Sequence, residues 1–269
     1  MEKAVILARG LGRRMRQGDA SASLSDNQQA VAATGVKALV PIDRPFLDYV
    51  LTALADAGYR QICLVVGPEH DVLREYYGRT LSYERLSVEF ALQAEPRGTA
   101  DAVAAAAGFA GGDPFLVINS DNHYPVDALS ALRGLQGPGL AVFERESMLA
   151  RSNIPPERIT RFAVVEADEA GNLRRILEKP NPEQVARLPE PVGVSMNCWR
   201  FEASIFASCA AIKPSVRGEL EIPDAVQHAI GEMGQTFRVL TFRSAVLDLT
   251  SQTDVEGVAE ILAGTPVNL

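Results

Sequence analysis

The sequence is poor in the residue types that most often build metal centres. Its 269 residues include only three cysteines and three histidines, with no Cys-x-x-Cys pair and no metal-ligand spacing among the histidines. A sparse, odd set of cysteines fits a reducing compartment and argues against a zinc site. We therefore expect a cytoplasmic protein in which the histidines are structural or face solvent.

Positive charge and long apolar runs are also scarce. The chain has 26 Lys and Arg against 34 Asp and Glu, a net charge of −8, which argues against a nucleic-acid partner but leaves room for a local basic pocket. No stretch of about 18 uninterrupted apolar residues is present to span a membrane. The apolar run near the start is short and followed by arginines, unlike a signal peptide. We expect no membrane partner.

Two familiar phosphate-binding motifs are missing. The Gly-Lys-Ser/Thr of a Walker A loop does not occur, and Met15 stands where a dinucleotide fingerprint needs its third glycine. What is present is an apolar strand pattern, Ala4–Ala8, followed by Gly10-Leu11-Gly12-Arg13-Arg14, with Lys37 further on. A Gly-x-Gly turn lets backbone N–H groups approach a phosphate, and nearby cations suit a triphosphate. The alternative interpretation is a tight strand-to-loop connection.

Strand-like and helix-like segments alternate through the first half, and the second half is richer in strands. The predicted strands are Ala4–Ala8, Ile62–Val66, Ser87–Gln93, Phe115–Asn119, Leu140–Glu144, Arg161–Ala167, Leu173–Leu177, Val192–Phe201 and Thr236–Phe242. The predicted helices are Phe46–Ala57, Asp71–Tyr77, Thr99–Ala107, 202–211, Glu221–Ile230 and Thr253–Leu262. Continuous apolar strands between helices predict an α/β fold with a parallel sheet covered on both faces.

Three local features remain open to interpretation. Gln17–Gly35 contains a capping-box pattern at Ser25, which predicts a short helix, and the segment is either an ordered lid or a surface insertion. Arg145–Pro156 is expected to be a mobile loop. Thr99 is expected to be the N-cap of its helix.

Charged residues follow three of the strands. Asp121 follows Phe115–Asn119, Glu178-Lys179 follows Leu173–Leu177, and Asp248 closes a further apolar segment. Open α/β sheets bind ligands beyond the carboxyl ends of their strands, and Mg²⁺ takes one or two carboxylates plus substrate phosphates. Each residue also has an ordinary explanation as a turn residue, a helix cap or a solvated charge pair.

Taken in order, these segments resemble one family, the sugar-1-phosphate nucleotidyltransferases of the glucose-1-phosphate thymidylyltransferase and uridylyltransferase type. The matching segments are Gly10–Arg14, Lys37–Ile42, Gln93–Ala102, Ser120–Asn122, Glu178–Pro180, Arg217–Ile222 and Asp248–Asp254. They cover nearly the whole chain. The resemblance implies a Rossmann-like three-layer sandwich with a mixed, mostly parallel central sheet. It also implies one domain over residues 1–269, with a nucleotide-binding part at about 1–125 and a sugar-binding part at about 126–269.

The resemblance also implies a role for each site residue. The implied catalytic residues are Arg14, Lys37 and Lys179. The implied nucleotide-binding residues are Ala8, Gly10, Gly12, Arg13, Gln93, Gly98 and Thr99. The implied sugar-binding residues are Asn122, Glu178, Lys179 and Asn197, and the implied ligands of a Mg²⁺ cofactor are Asp121 and Asp248.

The implied reaction joins a nucleoside triphosphate and a sugar-1-phosphate, the two expected partners, with release of pyrophosphate. Because a side-chain amide both donates and accepts, Gln93 favours a pyrimidine base, and we expect UTP or dTTP. Arg9, Arg13, Ser120 and Thr250 depart from the family pattern. The Ala-Arg-Gly sequence around Arg9 also occurs in cytidylyltransferases for acidic sugars, where the arginine faces phosphate, so CTP stays open. A non-catalytic regulatory or sugar-nucleotide-sensing subunit is the alternative, and a homo-oligomer is compatible with either.

Overall fold

The fold is built on a mixed β-sheet, described by a computed structural model of residues 1–19 and 21–269. The strands are β1 (Lys3–Leu7), β2 (Gln61–Val66), β3 (Ser87–Leu92), β4 (Phe115–Asn119), β5 (Asn122–His123), β6 (Gly139–Glu144), β7 (Val164–Ala167), β8 (Leu173–Leu177), β9 (Gly193–Phe201), β10 (Arg238–Phe242) and β11 (Leu247–Asp248). The main sheet has the order β10-β6-β9-β4-β1-β2-β3. In this row β9 runs antiparallel to both neighbours and the other adjacent pairs are parallel.

Two smaller pairings complete the β-structure. β7 and β8 form an antiparallel hairpin whose first strand also pairs with β9. β5 and β11 form a separate antiparallel ribbon. Because β9 from the second half of the chain lies between β4 and β6, both halves contribute to one sheet. The predicted mixed, mostly parallel sheet is confirmed.

Helices cover both faces of this sheet. They are α1 (Arg13–Arg16), α2 (Asp26–Thr34), α3 (Phe46–Asp56), α4 (Asp71–Glu75), α5 (Thr99–Ala105), α6 (Ala107–Ala110), α7 (Val126–Gly134), α8 (Arg145–Arg151), α9 (Pro156–Ile159), α10 (Pro182–Ala186), α11 (Ile205–Ala211), α12 (Ile222–Gly231) and α13 (Asp254–Leu262). A 3₁₀ turn spans Lys37–Leu39, and a π-helical turn, Tyr76–Thr80, follows α4.

The three layers follow from the alternation of side chains along each strand. In β1, Ala4 and Ile6 join the hydrophobic cluster on one face, which includes residues of α3 and α7. Val5 joins the cluster on the other face, with residues of α5, α11 and α12. Successive side chains of a strand point to opposite faces, so a strand that is apolar throughout needs cover on both sides. The predicted three-layer sandwich is confirmed.

Two local expectations are wrong. Most of Arg145–Pro156, expected to be a mobile loop, is helical: α8 spans Arg145–Arg151, and its Met148 is fully buried in the core. Thr99 is the first residue of α5 rather than its N-cap, which is Gly98. The Thr99 hydroxyl instead accepts a hydrogen bond from the backbone N–H of Ile222, at the start of α12.

The segment Gln17–Gly35 contains the helix that its sequence predicts. Ser25 Oγ accepts from the Gln28 backbone N–H at 3.3 Å, and the Gln28 side-chain oxygen accepts from the Ser25 N–H at 3.0 Å. This capping box starts α2. The side-chain amide of Gln28 donates to the carbonyl of Pro41 at 2.9 Å, and Ala32 is fully buried. These contacts dock α2 onto the rest of the domain.

Within residues 1–19 and 21–269, no helix is both long enough and apolar enough to cross a lipid bilayer.

Candidate active site

One cavity of about 490 Å³ opens at the carboxyl ends of β1, β3 and β4. This volume lies within the range of about 300–1,000 Å³ usual for small-molecule sites. Its wall contains most of the predicted nucleotide-side residues and one predicted sugar-side residue: Ala8, Gly10, Gly12, Arg13, Arg14, Lys37, Gln93, Gly98, Thr99, Asp121 and Asn197. The sheet topology therefore gathers residues that are up to 189 positions apart, from Ala8 to Asn197 (197 − 8 = 189).

The glycine loop after β1 forms one wall of the cavity. Gly12 has a left-handed φ of 57°, and a Cβ on it would lie 2.0 Å from the carbonyl oxygen of Gly35, so only glycine fits there. A Cβ on Gly10 would meet nothing within 4 Å, which leaves its backbone approachable. The next residues, Arg13 and Arg14, are exposed beside the cavity. The loop thus combines open backbone with two cationic side chains.

A close ion pair joins two elements of the cavity wall. Lys37 Nζ lies 2.8 Å from Asp121 Oδ2, and both side chains are partly shielded from solvent. Lys37 starts the 3₁₀ turn, and Asp121 follows β4. A cation and a carboxylate therefore face the cavity side by side.

Asp248 lies in the β5–β11 ribbon and is almost completely buried. Asn122 Nδ2 donates to Asp248 Oδ2 at 3.1 Å, and Arg158 Nη2 donates to Asp248 Oδ1 at 3.2 Å. Arg158 also forms two hydrogen bonds of 3.0 Å with Asp254, so its guanidinium bridges two carboxylates. Burial raises the pKa of Asp248, the negative charge of Asp121 raises it further, and Arg158 opposes the rise. Asp248 is thus a desolvated carboxyl group with a second carboxylate nearby.

Asp121 and Asp248 offer carboxylate oxygens of the kind that a hard divalent cation prefers. Asp121 lines the cavity, whereas Asp248 does not, and both Asp248 oxygens accept hydrogen bonds, so a cation bound there would have to replace Asn122 or Arg158. The backbone N–H of Leu249 donates to the carbonyl of Asp121 at 2.8 Å, which ties the two chain segments together. Among the described residues, no three or more His, Cys, Asp or Glu side chains gather into a metal-binding group. Mg²⁺ does not need such a group, because one or two carboxylates and substrate phosphates suffice. Asp121 and Asp248 are the residues that could hold it.

Gln93 lies at the opposite end of the cavity wall, just after β3. Its side chain is 4% exposed. Its Nε2 donates to the carbonyl of Gly98 at 3.0 Å and to Asp101 Oδ2 at 2.8 Å. Gly98 has a φ of 119°, and a Cβ on it would lie 2.3 Å from the carbonyl oxygen of Leu220. This part of the wall is therefore closely packed and allows little rearrangement.

The segment 97–100 is also hydrogen-bonded to the segment that precedes α12. The Leu220 N–H donates to the carbonyl of Arg97 at 2.7 Å, and the Ala100 N–H donates to the carbonyl of Leu220 at 2.9 Å. With the Thr99–Ile222 bond at 3.0 Å, three hydrogen bonds join the two segments. The loop beside Gln93 thus depends on residues from the second half of the chain.

A β-bulge directs Asn197 into the cavity. The register between β6 and β9 shifts so that Ala141 pairs with Cys198 but Val142 pairs with Ser195, which leaves two residues of β9 unpaired. Asn197, one of the two, has a positive φ of 55°, a conformation that asparagine tolerates better than most residues. Its Oδ1 accepts from Trp199 Nε1 at 3.3 Å.

Three of the predicted sugar-side residues lie elsewhere. Glu178 and Lys179 follow β8, are exposed and do not line the cavity. Partial burial raises the pKa of Glu178, and the nearby Arg217 opposes the rise. Asn122 is 2% exposed, and its side chain bonds to Asp248 rather than facing the cavity. A sugar could not reach Asn122 without displacing that bond.

Arg9 does not extend into open solvent beside the glycine loop. Its side chain is 8% exposed, and its Nη2 donates to the carbonyl of Ala94 at 3.2 Å and to Glu69 Oε2 at 3.4 Å. Arg9 lines the same cavity as Gln93 and Lys37, and its bond to Ala94 ties it to the residue after Gln93. Its Nε and Nη1 have no hydrogen-bond partner among the described residues, and the phosphate-facing role that kept CTP open stays a prediction.

The sequence interpretation missed residues that hydrogen-bond to the predicted site residues. Arg158 and Asp101 are the clearest cases, together with Asn153, whose side chain bonds both the N–H and the C=O of Asp248 at 2.9 and 2.8 Å. Arg158 and Asn153 are 90 and 95 residues from Asp248, and no local pattern reports such pairs. The sequence could have indicated Asp101, because it lies in the first turn of a predicted helix, eight residues after Gln93.

Comparison with known proteins identifies the family of the chain. A family model described as nucleotidyl transferase matches residues 3–244, so the chain belongs to the nucleotidyl transferase family. Among curated relatives, it is 30% identical to a glucose-1-phosphate thymidylyltransferase of Streptomyces griseus, over 98% of this chain and 66% of that protein. It is 27% identical to the low-salt glycan biosynthesis nucleotidyltransferase Agl11 of Haloferax volcanii, over 84% of this chain and 56% of that protein.

The chain therefore spans between about half and two thirds of the length of these two relatives. Another relative is of similar length: the UTP–glucose-1-phosphate uridylyltransferase AglF of Haloferax volcanii is 23% identical, over 92% of this chain and 90% of that protein. Among solved structures, a UDP-glucose pyrophosphorylase in complex with UDP-glucose superposes with a TM-score of 0.75 at 19% identity, over 99% of this chain and 100% of the other. A likeness at this identity supports the fold.

Proposed function

We propose that this protein transfers a nucleotidyl group from a nucleoside triphosphate to a sugar-1-phosphate and releases pyrophosphate. The observation that carries the proposal is one cavity lined by Arg14, Lys37, Asp121 and Gln93, in which β1 and β2 separate the strand before Asp121 from the strand before Gln93. Such a site offers cations for phosphates at one end and an amide for a base at the other. UTP or dTTP is the favoured donor and CTP a weaker one, in keeping with the thymidylyl- and uridylyltransferase names of the relatives.

The part of the cavity around Arg14 and Lys37 supplies positive charge for the phosphates and positions them for the reaction. A phosphate oxygen of the sugar-1-phosphate attacks the α-phosphorus in line with the departing pyrophosphate, so no covalent enzyme intermediate is needed. Arg14 and Lys37 neutralise the triphosphate, and the backbone around Gly10 and Gly12 approaches it, with Arg13 at the rim. Bringing two anions together and stabilising the charge on their oxygens is the main catalytic task.

Asp121 and Asp248 are the proposed holders of Mg²⁺. When bound, Mg²⁺ would neutralise charge on the phosphate oxygens. Asn122 and Arg158 hold the Asp248 carboxylate, and Asn153 holds the Asp248 backbone, through the hydrogen bonds described above. We therefore assign Asn122 to positioning Asp248 rather than to the sugar.

The remaining predicted residues keep the roles that the family resemblance implies. Gln93, with the backbone at Ala8, Gly98 and Thr99, recognises the base. Asn197 faces the sugar from the bulge in β9. Glu178 and Lys179 are proposed to bind the sugar hydroxyls and the sugar phosphate, which requires the exposed segment after β8 to approach the cavity when the sugar-1-phosphate binds.

A substrate panel tests the proposal directly. Five nucleoside triphosphates are combined with several sugar-1-phosphates and Mg²⁺, and pyrophosphate release is measured. We expect release with UTP or dTTP, a strong reduction in Lys37→Ala, and normal release in Arg79→Ala, which removes an exposed cation that does not line the cavity. No release with any pair would refute the proposed function.

One set of observations favours the alternative of a non-catalytic sensing subunit. Arg9, Arg13, Ser120 and Thr250 depart from the family pattern. In that case the protein would bind a sugar nucleotide in this cavity but release no pyrophosphate under any substrate pair. Calorimetry with UDP-glucose, run beside the activity panel, distinguishes the two functions.

A further inference from the structure

Asp101 and the Gly98 carbonyl accept both hydrogen bonds that the Gln93 side-chain amide can donate. A carboxamide has two N–H donors, and in Gln93 both are used, one by the carbonyl of Gly98 at 3.0 Å and one by Asp101 Oδ2 at 2.8 Å. Neither a backbone carbonyl nor an ionised carboxylate can donate a hydrogen bond. Reversing the amide would therefore bring its oxygen against two other oxygens, so the observed orientation is fixed.

The group that remains available is the carbonyl oxygen of Gln93. No donor among the described residues bonds to this oxygen, and it is not enclosed by protein. Because Gln93 is otherwise buried and lines the cavity, the oxygen is the part of its side chain that a ligand can reach. At this position the cavity therefore offers a ligand only a hydrogen-bond acceptor. It does not offer an amide that could turn to donate or accept.

The support around this pair is rigid. Asp101 lies in the first turn of α5 and is 23% exposed, with Arg97 Nη1 3.9 Å from its other carboxylate oxygen. The second acceptor, the Gly98 carbonyl, belongs to the segment that is wedged against Leu220. Both partners of the Gln93 amide are thus held by contacts outside the cavity.

We propose that Asp101 is a positioning residue that makes Gln93 an obligate acceptor and thereby selects bases with an N–H donor at ring position 3. Uracil and thymine carry this donor, whereas N3 of neutral cytosine is itself an acceptor. Two acceptors facing each other leave both unsatisfied, which corresponds to a preference of about tenfold or more. The inference rests on the proposed function, because it assumes that the ligand in this cavity is a nucleotide.

The test compares two variants at Asp101 with a matched control. Asp101→Ala removes one of the two acceptors, so only the Gly98 carbonyl still opposes reversal of the Gln93 amide. Asp101→Asn keeps the shape of the side chain, but its own amide can turn and donate a hydrogen bond to a reversed Gln93. Asp71→Ala is the control, because Asp71 also lies in the first turn of a short helix but does not line the cavity. Calorimetry gives the dissociation constants of UTP, CTP and inorganic tripolyphosphate, and thermal melts report folding.

We expect Asp101→Ala to reduce the CTP-to-UTP ratio of dissociation constants by about tenfold. Asp101→Asn should change the ratio in the same direction, Asp71→Ala should keep the wild-type ratio, and binding of tripolyphosphate should be the same in all four proteins. An unchanged ratio in folded Asp101→Ala overturns the inference. So does an equal loss for UTP, CTP and tripolyphosphate, which would indicate a purely structural role. A wild-type protein that binds no nucleotide would instead refute the proposed function itself.

Discussion

The two halves of the molecule present their ligand-facing residues in different ways. In residues 1–125, Ala8, Gln93 and Asp121 follow β1, β3 and β4, parallel strands that end at one edge of the sheet. In residues 126–269, Asn197 reaches the cavity only through a bulge, and Lys179 lies on an exposed segment after a hairpin strand. The sheet thus positions the proposed nucleotide-side residues, while irregular backbone positions the proposed sugar-side residues.

This difference indicates which ligand-facing residues can be changed without disturbing the sheet. Changing the nucleotide side would require moving strands buried on both faces. Changing the sugar side requires only different loops, which tolerate sequence change far better than core strands do. We therefore expect base recognition to be built into the sheet edge and sugar recognition to depend on the segments around Lys179 and Asn197.

The largest effect should come from the carboxylate that joins the two halves. Replacing Asp248 by Ala removes one of two proposed Mg²⁺ ligands and leaves Arg158 with one partner fewer, so pyrophosphate release should fall at least about 100-fold. Asp121→Ala should cause a similar loss of pyrophosphate release. Asp127→Ala is the control and should keep wild-type release, because Asp127 is exposed and does not line the cavity. Wild-type-like turnover in folded Asp248→Ala would exclude the two-carboxylate assignment.

A pair of lysine variants should separate the two sides kinetically. Lys37→Ala should raise KM for the triphosphate, and Lys179→Ala should raise KM for the sugar-1-phosphate, each by about 10- to 100-fold as expected for a lost charged contact. Steady-state kinetics with each substrate varied in turn measures both values. If Lys179→Ala changed the triphosphate KM instead, the division into a nucleotide side and a sugar side would be wrong.

Acid should lower the free energy of unfolding of the protein through a buried histidine in residues 1–125. His70 is buried behind Arg9, and its Nδ1 accepts a hydrogen bond from the Gly67 N–H at 3.0 Å. Burial lowers the pKa of His70 below its ordinary 6.5, so its contribution to stability is complete above pH 6.5 and is lost as the pH falls below that value. The lost hydrogen bond alone is worth about 1 kcal/mol.

Urea unfolding at pH 7.5 and 5.5 measures this contribution. The loss on acidification should be smaller in His70→Gln than in the wild type. Equal acid dependence in the two proteins would show that His70 does not sense pH.

The smallest effect concerns the segment that packs against the glycine loop. Gly35, at the end of α2, contacts Gly12, so a bound triphosphate should hold α2 more firmly. Amide hydrogen exchange across Asp26–Thr34 should slow when UTP is added, with no change in the remote helix α10. Unchanged exchange in α2, together with full activity after the segment is shortened, would reduce it to a surface insertion.

The part of the site that the sequence could predict is the part that depends on local pattern. The parallel strands were recognisable from their apolar runs, so the residues that follow them, such as Gln93 and Asp121, could be assigned to one edge. The capping box at Ser25 predicted α2 for the same reason, since its hydrogen bonds lie within four residues.

What the sequence could not predict depends on distant contacts. The helix α8 forms where Met148 finds a place in the core, and its seven residues show too little periodicity to indicate that alone. Asn122 was expected at the sugar because it follows Asp121, but its pairing with Asp248 across 126 positions draws it inward. The bulge at Asn197 is set by the register with β6, which a single strand does not reveal.

The hydrogen bonds between segments 97–100 and 220–222 have a consequence for engineering. They mean that the two halves are not exchangeable cassettes, although each carries its own ligand-facing residues. A chimaera that takes residues 126–269 from a relative with a different sugar would also take a new partner for the loop that orients Gln93. Such a chimaera would therefore change its preference among bases as well as among sugars. Transferring residues 93–101 together with segment 220–222 would avoid this change.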